Sequence, residues 1–355
     1  MSLVPETTRR ITYAAAINET LRHEMRRDGR VIVLGEDVAG GAGKADQGII
    51  DAWGGPFGKT KGLITEFGAG RVRDCPISEM AFVGTAVGAA ATGLRPVVDL
   101  MFVDFLGVCL DQLMNNAAFM RYMFGGKIDL PLTVSTMVGA GTGSAGQHSK
   151  MLYSMLVHLP GLKVVAPSSA ATAKGLYTAA IRLDDPVIVC DHKLLLGSRG
   201  EVPEESYVIP IGKADIARVG AEVTLIGMSR MTRTCLEAAA ALEVQGVDAE
   251  VIDLLSLSPL DEATVLASAR KTGRVVIVDE AFPRCNVGAD VAALIADEAF
   301  DDLRAPVKRV SPPHVPVPFS PVLEKAFIPS VERVVETALG IARANAATKG
   351  DTWRR

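Results

Sequence analysis

A chain of 355 residues, 48% hydrophobic and 22% charged, is long enough for two globular domains with their own cores. A formal net charge of -4 without a long basic run gives no electrostatic footprint for nucleic acid. The N-terminus MSLVPETTRR lacks the apolar core of a signal peptide, and no stretch approaches the roughly 20 apolar residues of a membrane helix, so a soluble cytoplasmic protein is expected.

The first apolar run, Val31–Leu34, predicts a strand. Ala39–Gly62 follows, glycine-rich around Trp53 and without helical or strand period. A loop this long inside a compact domain is usually functional, so it is expected to line an active site or a subunit interface. Ser78 stands where it can cap a helix over Met80–Thr92, and Glu79 falls in the first turn, where the helix dipole favours an acid. The small residues of that helix permit close packing. Further strands are predicted at Val97–Val103, Leu132–Met137, Lys163–Ala166 and Val187–Cys190, with a helix over Ala170–Leu183. The Gly-, Pro- and Glu-rich stretch Leu196–Gly212 has no sustained period and reads as a linker. Beyond it come strands at Val223–Ile226, Ala249–Leu254, Val275–Val278 and Val307–Val310, with helices over Thr232–Gln245, Asp261–Lys271 and Gly288–Phe300. Most of these strands are continuously apolar instead of alternating, as parallel sheets covered on both faces require. The expectation is α/β: two doubly wound domains, residues 1–195 and 213–343, joined by 196–212 and followed by a polar tail at 344–355.

Gly141, Gly143 and Gly146 match G-x-G-x-x-G formally, but no Asp or Glu occurs between Gly146 and Asp184 to end the next strand. The dinucleotide fingerprint therefore fails. A P-loop is absent as well. The glycines instead suit a loop whose backbone approaches a ligand closely. Directly after it stands His148, at the carboxyl edge of a predicted parallel sheet, where ligands bind and where an imidazole can exchange protons. His23, His158, His192 and His314 have no comparable setting and read as structural. The five cysteines are scattered and show no C-x-x-C spacing, which argues for reduced thiols and against a disulfide frame or zinc site.

The ordered set Leu34-Gly-Glu-Asp37, Pro76-Ile-Ser-Glu79, Gln147-His-Ser149 and Pro160-Gly-Leu-Lys-Val-Val-Ala-Pro167 resembles the β subunits of the thiamine-diphosphate-dependent 2-oxo acid dehydrogenase E1 family. Asp279-Glu-Ala-Phe-Pro-Arg284 and Pro316-Val-Pro-Phe-Ser320 extend the likeness to the second half. Asp51-Ala-Trp-Gly-Gly55, Thr60-Lys-Gly-Leu63, Tyr122-Met-Phe-Gly-Gly-Lys127 and Thr136-Met-Val-Gly-Ala-Gly141 are similar to the acetoin dehydrogenase branch, which shares the long loop at Ala39–Gly62.

That resemblance implies a pyrimidine-binding domain followed by a transketolase C-terminal-type domain. It implies thiamine diphosphate shared with an α-type E1 subunit in an α2β2 assembly, with the diphosphate and Mg2+ held by the α subunit. This chain carries no Gly-Asp-Gly for that purpose. A lipoyl-bearing E2 acyltransferase is the implied further partner. Glu79 matches the glutamate that hydrogen-bonds N1′ of the aminopyrimidine and favours its 4′-imino tautomer. Phe105 matches the aromatic residue stacked on that ring, Ile77 a backbone contact to it, and Glu36 an acid facing the same cleft. His148 matches the histidine that handles protons or lipoyl transfer. A potassium site of backbone carbonyls maps to Leu132, Ala180, Ile181, Leu183 and Asp185, with Leu183 where Asp is usual. Lys150 stands where Gln is common. The expected activity is cleavage of acetoin with transfer of the two-carbon unit to a lipoyl arm. The alternatives are a pyruvate or branched-chain 2-oxo acid dehydrogenase subunit and a non-catalytic scaffold subunit.

Overall fold

The computed structural model describes residues 3–7, 9–40 and 54–343. The middle of the glycine-rich loop, 41–53 with Trp53, and the tail from 344 lie outside the described residues. The chain enters through β1 (Arg10–Thr12), α1 (Tyr13–Arg27) and β2 (Val31–Gly35), then α2 (Leu63–Phe67), β3 (Val72–Asp74), α3 (Glu79–Ala91) and β4 (Arg95–Phe102). A rod of α4 (Leu106–Asp111), a π-helical segment Gln112–Ala118 and α5 (Phe119–Met123) leads to β5 (Thr133–Val138). α6 (Tyr153–Val157), β6 (Lys163–Val165), α7 (Ala170–Arg182), β7 (Val187–His192) and β8 (Arg199–Glu201) follow. The second half runs β9 (Asp215–Arg218), β10 (Val223–Gly227), α8 (Arg230–Val244), β11 (Ala249–Asp253), β12 (Ser256–Ser258), α9 (Glu262–Thr272), β13 (Val275–Val278), α10 (Val287–Glu298), β14 (Lys308–Val310), α11 (Pro321–Phe327) and α12 (Val331–Ala342).

Two sheets organise these elements. The seven-stranded sheet has the order β12-β6-β7-β5-β4-β2-β3 and is parallel except for β12. The five-stranded sheet has the order β14-β13-β10-β11-β9 and is parallel except for β9. Every residue of β2, β5, β7, β10, β11 and β13 is buried, which explains their long apolar runs. One cluster of buried side chains packs α1 and α7 on one face of the first sheet. The opposite face, under α3, α4 and α6, shares a core with α9 and α10 of the second half. α8 and α12 close the remaining face of the second sheet.

The differences from expectation have physical causes. β1, β8, β9 and β12 have only three or four residues each, too few for a hydrophobic pattern to register. α1 is diluted by polar residues on its outer face, although Tyr13, Ile17, Leu21 and Met25 recur at helical spacing and are buried. β12 belongs by sequence to the second half yet pairs with β6 of the first sheet, with Ser256 opposite Val165.

Asp253, at the carboxyl end of β11, also ties the halves together. Its carboxylate accepts from Thr232 Oγ1 at 2.9 Å and from the hydroxyl of Ser168. Burial pushes this carboxyl up from 3.8 to about 7, against the lowering effect of those two hydroxyls. The folded state thus favours the neutral acid. Its contribution is full below the ordinary carboxylate range and is lost as pH rises through about 7. Asp253→Asn is expected to gain stability relative to wild type between pH 5 and pH 8. Urea unfolding at both pH values would contradict this if the difference between the two proteins did not change.

Candidate functional site

The parallel register delivers three connections to one edge of the seven-stranded sheet. Gly35 at the end of β2 lies opposite Asp99 of β4, which lies opposite Ser135 of β5. A Cβ on Gly35 would meet the Asp99 carbonyl, so glycine allows the two strands their close approach. Two non-glycine residues at this edge adopt left-handed backbone, Asp37 (φ 52°) and Met101 (φ 61°). Such strain clusters at functional sites. Ligands of open α/β sheets bind at this carboxyl edge.

Glu79 opens α3 as its first residue and is only 7% exposed. Its carboxylate has no hydrogen-bond or ion-pair partner among the described residues. The expected cap does not form: the Ser78 hydroxyl turns back to donate to the Pro76 carbonyl at 3.1 Å, and the Ser78 backbone (φ -165°, ψ 62°) departs from the usual cap geometry. Ile77, just before it, is 84% exposed. Glu36 follows β2. Burial raises its carboxyl above the usual range, and the nearby Glu79, Asp37 and Asp99 carboxylates raise it further. Glu36 Oε1, Asp104 Oδ2 and Thr136 Oγ1 are buried without a partner among the described residues. All three follow or lie in strands of this sheet. Unpaired buried oxygens cost free energy unless something else satisfies them.

His148 joins an aromatic cluster at the same edge. Its ring meets Phe102 at 4.8 Å and Phe105 at 5.5 Å, both edge-on, and Phe57 meets Phe102 at 5.4 Å. The loop carrying His148 is pinned from several sides. Gly139 N–H donates to the Lys150 carbonyl at 3.1 Å, closing the loop at its base. Gly139 has φ 90°, and His192 fills the space where a side chain would stand. Lys193 Nζ donates to the His148 carbonyl and to Ser149 Oγ at 3.3 Å. Lys150 pairs with Asp104 Oδ1 at 2.7 Å.

The structure thus gathers Glu36, Ile77, Glu79, Phe105 and His148 at one sheet edge. On the α1 and α7 face of the same sheet lies a polar group with no motif to announce it. Lys59, at the end of the glycine-rich loop, is buried and donates to Ser135 Oγ at 2.6 Å, with Asp99 Oδ2 at 3.2 Å and Asp191 Oδ2 at 3.8 Å. Asp191 Oδ1 accepts from the Tyr13 hydroxyl at 2.6 Å, and its other oxygen from the Tyr177 hydroxyl. Only the glycine-rich context of Lys59 was legible; its partners come from three separate strands, β4, β5 and β7.

Leu132, Ala180, Ile181, Leu183 and Asp185 group at the opposite, amino edge of the sheet, around the entries to β5 and β7. There the Ile181 and Leu183 carbonyls accept from Arg95 Nη1 at 2.9 and 3.0 Å, and the Leu132 carbonyl from Val187 N–H at 2.8 Å. Asp185 pairs with both Arg121 and Lys163 at 2.6 Å. A groove of about 1010 Å³ lies between the halves, lined by Met114, Met155, His158, Phe282 and Cys285. None of the five gathered residues lines it.

Two family models match the chain in sequence. "Transketolase, pyrimidine binding domain" covers residues 9–198 and "Transketolase, C-terminal domain" covers 212–334. The β subunit of the acetoin:2,6-dichlorophenolindophenol oxidoreductase of Cupriavidus necator is 53% identical over 93% of this chain and 97% of its own length. The corresponding subunit of Bacillus subtilis is 51% identical over 93% and 96%. The pyruvate dehydrogenase E1 component subunit beta of Rhizobium meliloti is 41% identical over 93% of this chain and 70% of its own. In three dimensions, a split-gene transketolase described as an inactive beta4 tetramer superposes with a TM-score of 0.74 at 23% identity, over 94% of this chain and 99% of its own. That likeness supports the fold.

Proposed function

The chain belongs to the β-subunit family of the thiamine-diphosphate-dependent acetoin and 2-oxo acid dehydrogenases, and from this premise we propose that it is the β subunit of an enzyme that cleaves acetoin. A β subunit of this family works with an α partner. The arrangement proposed is α2β2, with the α-type subunit holding the diphosphate and Mg2+. The observation that carries the reading is the unpaired buried Glu36 Oε1, within reach of the Glu79 charge, together with unpaired oxygens at Asp104 and Thr136 of the same pyrimidine-binding-type sheet. Polar groups left unsatisfied in this way fit a bound ring with its own donors and acceptors. Exposed Ile77, Met80 and Val108 give the same region an apolar surface suited to a partner subunit.

Thiamine diphosphate, when bound, supplies a nucleophilic carbon for the substrate carbonyl and accepts the electrons of the breaking bond. Each residue of this chain then has a defined task. Glu79 holds the proton at N1′ of the aminopyrimidine. Phe105 forms a wall against that ring, and Ile77 offers it a backbone contact. Glu36 faces the same cleft. His148 moves a proton at the substrate oxygen. In the overall reaction the C–C bond of acetoin breaks, acetaldehyde leaves, and the remaining two-carbon unit is oxidised by a lipoyl disulfide or a dye. The second domain is the proposed dock for a lipoyl-bearing E2 acyltransferase. A potassium ion held by the carbonyls of Leu132, Ala180, Ile181, Leu183 and Asp185 would be structural and enters no step, because these residues lie at the sheet edge opposite His148.

The test is dye reduction by the chain co-expressed with its α-type partner, comparing acetoin, pyruvate and 3-methyl-2-oxobutanoate by kcat/KM. The highest value is expected for acetoin. A preference for either oxo acid would overturn the substrate and favour the pyruvate-type relatives.

A further inference from the structure

The loop that presents His148 belongs to the first half, yet the second half holds its backbone. Glu324 lies in α11 and is 4% exposed. One of its carboxylate oxygens accepts from Gly141 N–H at 2.8 Å and the other from Gly143 N–H at 3.0 Å. Glu280, after β13, accepts from the neighbouring Ala140 N–H at 2.7 Å. Glu280 is itself held at 3.0 Å by His192 Nε2. The Leu194 N–H donates to His192 Nδ1 at 3.1 Å, so the imidazole proton sits on Nε2, facing Glu280.

These contacts form a clasp. Gly141 (φ 106°) and Gly143 (φ 65°) take left-handed backbone that turns their N–H groups toward one anion-binding concavity. Glu324 fills it with a charge of the protein itself. Gly146, further along the loop, packs near the Val317 carbonyl of the segment leading into α11. The far end of the loop is fixed by Lys193 on the His148 carbonyl. The His148 ring therefore stands on a segment tied at Gly141 and Gly143 by the second half and at its own carbonyl by the first.

We propose that Glu324 is a positioning residue for the reaction: by clasping the Gly141 and Gly143 N–H groups it sets the His148 ring against Phe105, and so makes the second half a contributor to the proton step at substrate. This rests on the proton-transfer role given to His148 above. Gln at position 324 keeps the volume but offers one acceptor oxygen where the loop presents two donors. A small displacement of a positioned group lowers rate by up to about 10²-fold, and the effect falls on turnover more than on substrate affinity.

The experiment uses the complex with the α-type partner and four proteins: wild type, Glu324→Gln, His148→Ala and the double variant, assayed with acetoin and dye. Thermal unfolding of each complex and titration with thiamine diphosphate accompany the assays. The expected result is a roughly 10- to 100-fold lower kcat for Glu324→Gln with KM within a few fold, cofactor affinity unchanged, and a double variant no slower than His148→Ala alone. Glu324→Asp, which retains both oxygens, is expected to recover part of the loss. Multiplicative losses in the double variant, or a Glu324→Gln complex with wild-type kcat, would overturn the clasp while leaving His148 in place. A His148→Ala complex with wild-type turnover would instead overturn the role of His148, and the inference with it. Should Glu324→Gln fail to assemble, Gly141→Ala is read in its place: its side chain would meet Leu194 and disturb the same loop. The same pattern of kcat loss absorbed by His148→Ala is expected, and its absence would overturn the proposal.

Discussion

Glu79→Gln in the assembled complex is expected to lower turnover of acetoin by roughly 10²- to 10⁴-fold, the range for loss of a positioned proton-transfer group. Gln preserves the shape of the side chain and one acceptor oxygen, but it cannot hold an exchangeable acidic proton at N1′. The structural cost is small because the Glu79 carboxylate has no hydrogen-bond partner among the described residues, and neutralising it removes a repulsion felt by Glu36. Stability is expected to stay within about 0.5 kcal/mol of wild type. Stopped assays of kcat beside urea unfolding of the same complex check both halves of the prediction. Wild-type turnover would mean that the chain scaffolds the active complex without taking part in its chemistry.

The largest expected loss of stability is at Asp191. It is fully buried, and burial raises its carboxyl while Lys59 and the Tyr13, Tyr177 and Ser135 hydroxyls favour the ionised form. Asp191→Ala would strand the Tyr13 hydroxyl, leave the Tyr177 hydroxyl with Ser135 Oγ alone, and leave the Lys59 ammonium with Asp99 and Ser135. Removing one partner from a buried charged network costs about 3–5 kcal/mol, because the remaining groups stay desolvated. Urea unfolding at pH 7 should show a loss of that size, and Asp191→Asn a smaller one. A loss below about 1 kcal/mol for Asp191→Ala would show that the network is not a stabilising unit.

The same contrast between local and distant partners explains what was legible. β2, β10 and β13 stood out because both faces of each strand are covered, so every residue is apolar or buried. α3 was legible from its small residues and from Glu79 in the first turn, although the Ser78 hydroxyl turned out to serve the Pro76 carbonyl. His148 was legible from its place after the glycine loop at a sheet's carboxyl edge, whereas Phe105 emerged only through the family likeness, since nothing in their spacing tells that Phe102 will bring the two rings together. Glu324 left no trace, and Glu280 appeared only as part of a family motif, because their partners are backbone N–H groups across the domain junction and a backbone donor has no sequence signature. Lys59 is a similar case: its ion pairs reach β4 and β7 from a loop defined by its glycines. The membrane expectation stands on a simple length criterion, and no helix among the described residues is long and apolar enough to cross a bilayer.

The central claim is that this chain contributes half of a shared cofactor site. Calorimetric titration of thiamine diphosphate with Mg2+, into the chain alone and into its complex with the α-type partner, tests it most directly. Tight stoichiometric binding to the complex and weak binding to the chain alone is the predicted result. Tight stoichiometric binding to the chain alone would contradict the claim.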